Sequence, residues 1–438
     1  MKLIPLGISN RFFYYMSGSK NTAFDIHFSF ELKEQLDKEL LRSAVRQALE
    51  NFPEFAVTPV LREGTVWAIG NEAEPPLLEE GGKPSLLYGT EDTNGYLFAF
   101  RCRERGFYFS YFHGLTDFHG IWSFFRTILY YYAQGRGLEA EADEWVRESP
   151  RALVAEDEAE RLDPYRRFAP AGGEAPRGSL SASFALPEDF YALEDPRVFG
   201  YALDCPLEPF LRQVKAHGSS AAAFLALLIS RAMTDIYDTG GETIRTMLSA
   251  DMRRYYGART MTNFSDATYL TYDKSLANLS REEQGKRMRQ EMKGQLTKEH
   301  FDGLLVQKLQ AMQGFETSGA GIEEMSARLG APLPKEARLP LTIALTYPGS
   351  LDLPPAYGSL VERITRPFIG VRGGANVFGL SATSWQGTLN IVSSQRFDSS
   401  GLMEKMQGEL KEIGVEGELR PLEHRQCNQV LLERLQRI

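Results

Sequence analysis

Cysteine is scarce in this chain. Its 438 residues carry three, Cys102, Cys205 and Cys427, far apart and odd in number. There is no CxxC pair and no Cys/His cluster at zinc spacing, so neither a disulfide framework nor a metal site is expected. The six histidines, His27, His113, His119, His217, His300 and His424, form no HExxH pattern. No block of lysine and arginine occurs, and the formal net charge of −9 argues against a nucleic-acid partner, whose phosphates require a basic face. No apolar stretch reaches the ~18 residues of a membrane span. The longest, residues 221–230, has the length of a buried helix. The apolar part of the first seven residues is too short for a signal peptide. Neither a GxxxxGK phosphate loop nor a GxSxG nucleophile elbow is present. These absences leave a reduced, cytoplasmic globular protein, 43% hydrophobic and 24% charged. Its length suits one very large domain or two moderate ones.

What is present reads as alternating strands and helices. Residues 23–32 alternate like a strand, and 33–51 carry apolar residues at helical spacing until Pro53 stops them. Residues 55–69 predict a hairpin turning near Arg62 to Thr65. Residues 96–100 and 106–112 predict two more strands around the charged turn 101–105, and a helix from Asp117 to about Gln134 closes a first α/β unit. The strongly charged residues 139–163 predict a solvated helix. Residues 168–179, rich in Pro, Gly and Ala, form the best linker and place a domain boundary near residue 175. The second half predicts strands at 198–203, 243–250, 341–347, 377–383 and 388–394. Helices are predicted at 206–217, from the Gly218-Ser-Ser cap to about Tyr237, and at 400–413. There is no short tandem repeat. The echo between halves predicts α/β architecture in two related lobes, residues 1–175 and 176–438.

The most chemical passage is Tyr108-Phe-Ser-Tyr-Phe-His-Gly-Leu-Thr-Asp117. An apolar run ends in His113, and Asp117 opens an aromatic, helix-like segment. A histidine where a buried strand leaves its sheet suits a general base, with a nearby carboxylate fixing the geometry. The plainer alternative is a satisfied polar histidine and an aspartate that only caps the helix.

Residues 112–117, with a strand before and a helix after, resemble the HxxxD core (often HHxxxDG) of the CoA-dependent acyltransferase superfamily. That group includes chloramphenicol acetyltransferase, peptide-synthetase condensation domains, plant BAHD enzymes and alcohol acetyltransferases. Phe112 stands where the fuller motif has its first histidine, and Phe118 where it has glycine. A ring at 118 would either narrow a substrate passage or pack away into the helix interface. A second passage, Ser249-Ala-Asp251-Met-Arg253 leading to Asn263-Phe264, is similar to the D-x-R strand end and following loop of the same enzymes. The BAHD motif DFGWG is absent, and Arg372-Gly-Gly is read as a bend rather than a phosphate loop.

The resemblance implies two chloramphenicol acetyltransferase-like lobes, with mixed sheets flanked by helices, around a central channel. It implies that Arg253 pairs with Asp117; otherwise Arg253 and Arg254 are a solvated turn pair. It implies His113 as general base. Asn263 is a candidate to bind substrate or the oxyanion, or else a turn residue bonded to its own backbone. Acyl-CoA is implied as co-substrate, with no permanently bound cofactor and no metal. A small-molecule hydroxyl or amine is the implied acceptor, and an acyl carrier protein is the alternative donor. The rival reading is a catalytically silent relative that binds a ligand or protein in the same cleft.

Overall fold

Strands form where buried residues fill both faces or alternate, and many of the helices start at side-chain caps such as Asp37, Asp117, Ser220, Ser280 and Thr297. The computed structural model describes residues 2–17, 24–149, 157–175, 181–191, 197–329, 331, 341–365, 378–423 and 425–438. The chain opens with β1 (Leu3–Pro5), α1 (Ile8–Ser17), β2 (Asp25–Leu32) and α2 (Lys38–Asn51). There follow β3 (Val57–Arg62), β4 (Thr65–Gly70), β5 (Leu77–Glu79), β6 (Phe98–Arg103), β7 (Gly106–Phe112) and α3 (Phe118–Gly135). Two short helices, α4 (Glu158–Leu162) and α5 (Pro164–Phe168), precede β8 (Arg197–Pro206), α6 (Leu207–Ala216), α7 (Ala221–Ile236) and β9 (Ile244–Asp251). Next are α8 (Arg253–Tyr256), β10 (Ser265–Tyr272), α9 (Lys274–Ala277), α10 (Arg281–Gln295), α11 (Lys298–Thr317) and α12 (Ile322–Leu329). The last part holds β11 (Ile343–Ser350), α13 (Pro355–Gly358), β12 (Val361–Thr365), β13 (Phe378–Trp385), β14 (Thr388–Gln395) and α14 (Gly401–Glu412). Three short strands finish it: β15 (Glu418–Pro421), β16 (Arg425–Gln426) and β17 (Gln436–Arg437).

Three mixed sheets result. The first is ordered β12-β2-β7-β6-β5, the second β10-β9-β11-β13-β14-β8-β15 with β16 on β8, and the third β1-β4-β3-β17. In the first sheet β7 is central and buried throughout. Phe28, Phe30, Phe107 and Phe109 make an aromatic core with Phe124 and Phe125 of α3, with Phe109 and Phe125 centroids 4.7 Å apart. The second sheet packs on α7 and α14 through Leu203, Leu345, Leu380 and Ile391. Several later segments return to the first core. β12 pairs antiparallel with β2, and Phe301, Ile322, Leu351 and Val430 pack into that core.

Most predicted elements lie within a few residues of their observed ends, and the differences have local causes. The helix expected from residue 33 begins at Lys38, because Asp37 accepts from the Leu40 amide and caps it there. The strand expected at 96–100 runs on to Arg103, and the turn shrinks to Glu104-Arg105. The solvated helix expected over 139–163 is corrected: 138–149 is irregular and only Glu158–Leu162 is helical near its end. Residues 150–156 of that stretch lie outside the described residues. Most of its described residues are exposed or half-buried, but Val146 and Arg147 are not: Arg147 is fully buried, 2.5 Å from Glu54 and over the Phe52 ring. Backbone 145–147 is held along α3 by Ser123 and Thr127, which brings Arg147 inward. Residues 176–179 of the expected linker and Arg372-Gly-Gly are also outside the described residues. No single described helix is long and apolar enough to cross a membrane.

Candidate active site

The site assembles where β7, α3 and the β9–β10 loop meet. β7 ends at Phe112, and the chain turns through 113–116 with the His113 amide donating to the Phe24 carbonyl at 2.8 Å. The imidazole turns back on this loop, and its Nδ1 lies 3.0 Å from the Thr116 carbonyl. A carbonyl only accepts, so Nδ1 carries a proton, and in the neutral ring Nε2 is the basic nitrogen. The Phe13 ring stacks on the imidazole at 4.3 Å. His113 is half-buried, whereas Gly114 to Asp117 are buried.

Asp117 caps α3 and is the receptor for Arg253. Arg253 Nη1 and Nη2 donate to its two oxygens at 2.9 and 3.0 Å. The Phe264 amide at 2.8 Å and the Gly120 amide at 3.4 Å complete the carboxylate's set. All five N–H groups of Arg253 are engaged, the others going to Asp251 and to the carbonyls of Thr260 and Thr262. Both side chains of the pair are only 5% exposed. Burial by itself would push the Asp117 carboxyl up, but the guanidinium and the Phe264 amide outweigh it and hold it below the usual range.

Asn263 is buried in the same loop, and its Nδ2 donates to the His113 carbonyl at 2.8 Å, across 150 residues of sequence. It therefore bonds to the motif's backbone rather than to its own. Phe118 is half-buried at the first position of α3, its ring nearly parallel to that of Trp122 at 6.0 Å and packed against the first core.

Three participants carried little signal in sequence. Gly120 lets α3 meet the loop: a Cβ there would lie 2.1 Å from Thr116 Oγ1 and 2.3 Å from the Met261 carbonyl. Thr116 Oγ1 itself donates to that carbonyl at 2.6 Å. A lone glycine inside Phe-His-Gly-Ile-Trp marks such an approach and was the one available clue. The His119 ring lies 4.9 Å from that of Trp145, the planes tilted by 46°, and its Nδ1 is 3.7 Å from Asp251. Burial first, then the Arg253 charge, push its imidazole down to about 4. A separate cleft of about 380 Å³ at the start of α11, lined by Glu174, Glu299, His300 and Asp302 among others, includes none of these residues. Among the described residues no group of three or more His, Cys, Asp or Glu is placed to hold a metal ion.

No protein-family model matches the chain, and no curated protein matches it. Solved structures do. F. sporotrichioides TRI101 complexed with coenzyme A and T-2 aligns at TM-score 0.60 and 13% identity, over 95% of this chain and 100% of that one. The epimerization domain from the third module of tyrocidine synthetase B aligns at TM-score 0.56 and 14% identity, over 94% and 96%. Polyketide synthase associated protein 5 from Mycobacterium tuberculosis aligns at 0.58 and 16%, over 92% and 96%. The chain shares the two-lobed, chloramphenicol acetyltransferase-like fold of these proteins.

Proposed function

We propose that this protein is an acyltransferase that moves an acyl group from acyl-CoA, or from a carrier-protein thioester, to a hydroxyl or amine acceptor. The observation that carries the reading is the His113 imidazole at the end of β7, with Nδ1 engaged by the Thr116 carbonyl, which gives the base role in the neutral ring to Nε2. Nε2 takes the proton from the acceptor as its oxygen or nitrogen attacks the thioester carbonyl. The tetrahedral intermediate then collapses, the C–S bond breaks, and the imidazolium returns the proton to the leaving thiolate. General-base assistance of this kind is typically worth ~10²–10⁴ in rate. Asp117 takes no proton in this scheme: its oxygens are committed to Arg253, Phe264 and α3, so it fixes the loop that carries the base. Asn263 uses one amide hydrogen on the His113 carbonyl, and its second is the candidate donor to the oxyanion. No covalent acyl-enzyme is needed.

A screen for thiol release over a panel of acyl-CoAs, with small alcohols and amines as acceptors, tests this directly. Wild type should release CoA only when a suitable acceptor is present, and His113→Ala should lose transfer while keeping its fold. Near wild-type turnover in His113→Ala would remove the base assignment. Phe118 supports the second reading, a silent binding protein, since a ring stands where the resembling enzymes have glycine. Calorimetry separates the two. If acyl-CoA does not bind, and Phe118→Gly does not restore binding, acyl-CoA transfer is wrong.

A further inference from the structure

Helix α1 turns one face toward the loop that carries His113. Asn10, Phe13 and Tyr14 stand at i, i+3 and i+4, so their side chains share that face. Asn10 Nδ2 donates to the Gly114 carbonyl at 2.7 Å and to the Leu115 carbonyl at 3.3 Å. The Phe13 ring lies over the imidazole with centroids 4.3 Å and planes 25° apart. Tyr14 meets the Phe112 ring edge-on at 4.9 Å.

The Asn10 amide has only one possible orientation, because two carbonyls can face only its nitrogen. Its Oδ1 is then buried with no hydrogen-bond partner among the described residues. Packing alone does not favour a buried acceptor left unmet. Asn263 repeats the arrangement, with Nδ2 on the His113 carbonyl and Oδ1 unmet among the described residues. Two amides thus grip the consecutive carbonyls 113, 114 and 115, while one aromatic face sets the plane of the ring.

We propose that Asn10 and Phe13 are positioning residues for His113. Asn10 holds the loop so that the Thr116 carbonyl stays within reach of Nδ1. Phe13 blocks rotation of the imidazole out of that hydrogen bond. Together they keep the proton on Nδ1 and the lone pair on Nε2. The kinetic consequence rests on the acyl-transfer reading; the tautomer does not.

Full-length protein labelled with ¹⁵N-histidine reports each ring's tautomer, and His113→Gln identifies the His113 signals. Wild type should show the single Nδ1–H form. Asn10→Ala and Phe13→Leu should each give a mixture of tautomers and a kcat about 10- to 100-fold lower at unchanged KM for acyl-CoA. Phe13→Tyr, which keeps the ring, should restore both. Wild-type tautomer spectra in folded Asn10→Ala and Phe13→Leu overturn the proposal, whatever happens to turnover. Should either variant fail to fold by circular dichroism, Asn10→Ser or Phe13→Met takes its place with the same two outcomes. If the tautomer responds as expected but wild type transfers no acyl group, the acyl-transfer reading fails and the positioning role stands.

Discussion

Replacing Asp117 by alanine strands a guanidinium that water cannot reach. Arg253 would keep its carbonyl partners and Asp251 but lose both bonds to its buried counter-charge. Breaking such a pair from one side costs roughly 3–5 kcal/mol, so Asp117→Ala should lower the denaturation midpoint as well as activity. An unchanged midpoint would count against the architectural role. His119 adds a pH dependence of its own. Its imidazole is held down to about 4, so the folded protein leaves it neutral while the unfolded chain takes up a proton near 6.5. Between those two values the unfolded state binds more protons, so stability falls as pH falls through that window. The difference is worth at most about 3 kcal/mol, and less in practice because the ring is 26% exposed. His119→Gln should flatten the fall in Tm between about pH 6.5 and 4. The Asp117 carboxyl is held low instead, so its contribution is present above the unfolded value near 3.9 and is lost only as pH drops further. The limb below pH ~4 should therefore survive in His119→Gln. Identical Tm profiles for wild type and His119→Gln would rule out the His119 assignment.

Among the elements, the contact between α3 and the 260–263 loop depends on the missing side chain at Gly120. Gly120→Ala forces a methyl group onto Thr116 Oγ1 and the Met261 carbonyl. One of the two must move, with Arg253 or His113 following. We expect a destabilisation of about 1–3 kcal/mol, as for other overpacked sites, and a fall in transfer larger than that loss alone explains. Wild-type activity and Tm in the variant would show the contact to be slack. The elements themselves were unevenly legible. β7 and α3 could be read because a fully apolar strand, a capping aspartate and an aromatic helix are all local signals. α10 could not, because its sequence is polar on nearly every side and buries only Gln284, Gly285 and Met288. Its place is set by tertiary bonds: Gln295 bonds both backbone groups of Tyr269, and Glu291 accepts from the Thr271 amide, capping the free edge of β10. The site divides the same way. His113 and Arg253 stand out as residue types just past strand ends, and Asp117 as a helix cap. Asn10, Phe13 and the carbonyls of 260 and 262 acquire a role only through contacts made across the fold.

At the scale of the molecule, a buried polar cluster ties the far end of the chain to its first long strand. Asp25 accepts from His27 Nε2 at 2.5 Å, from the Tyr88 hydroxyl at 2.6 Å and from the Asn428 amide at 2.7 Å. The Asn428 side chain donates to Tyr88 and to Ser110 and accepts from the Leu86 amide. Asn428→Ala would leave that buried amide unmet, at a cost of about 1–3 kcal/mol. The variant should unfold earlier in denaturant, and a coincident unfolding curve would show that the cluster tightens nothing. Topology of this reach was not legible in sequence. Patterning describes what lies within a few residues, whereas Asp25 and Asn428 meet across 403 positions.

The pairing of β12 with β2 has a consequence during synthesis. Leu32 waits for Val361 to complete its sheet, a gap of roughly 330 residues, or roughly 15–65 s at ribosomal speeds of about 5–20 residues per second. Throughout that interval the emerging chain presents an apolar strand with one edge open, beside an aromatic layer that already has its own helices. Such an intermediate is where self-association would begin. The yield of this protein in a cell should therefore respond to translation rate and to chaperones that shield nascent strands, more than its finished stability would suggest.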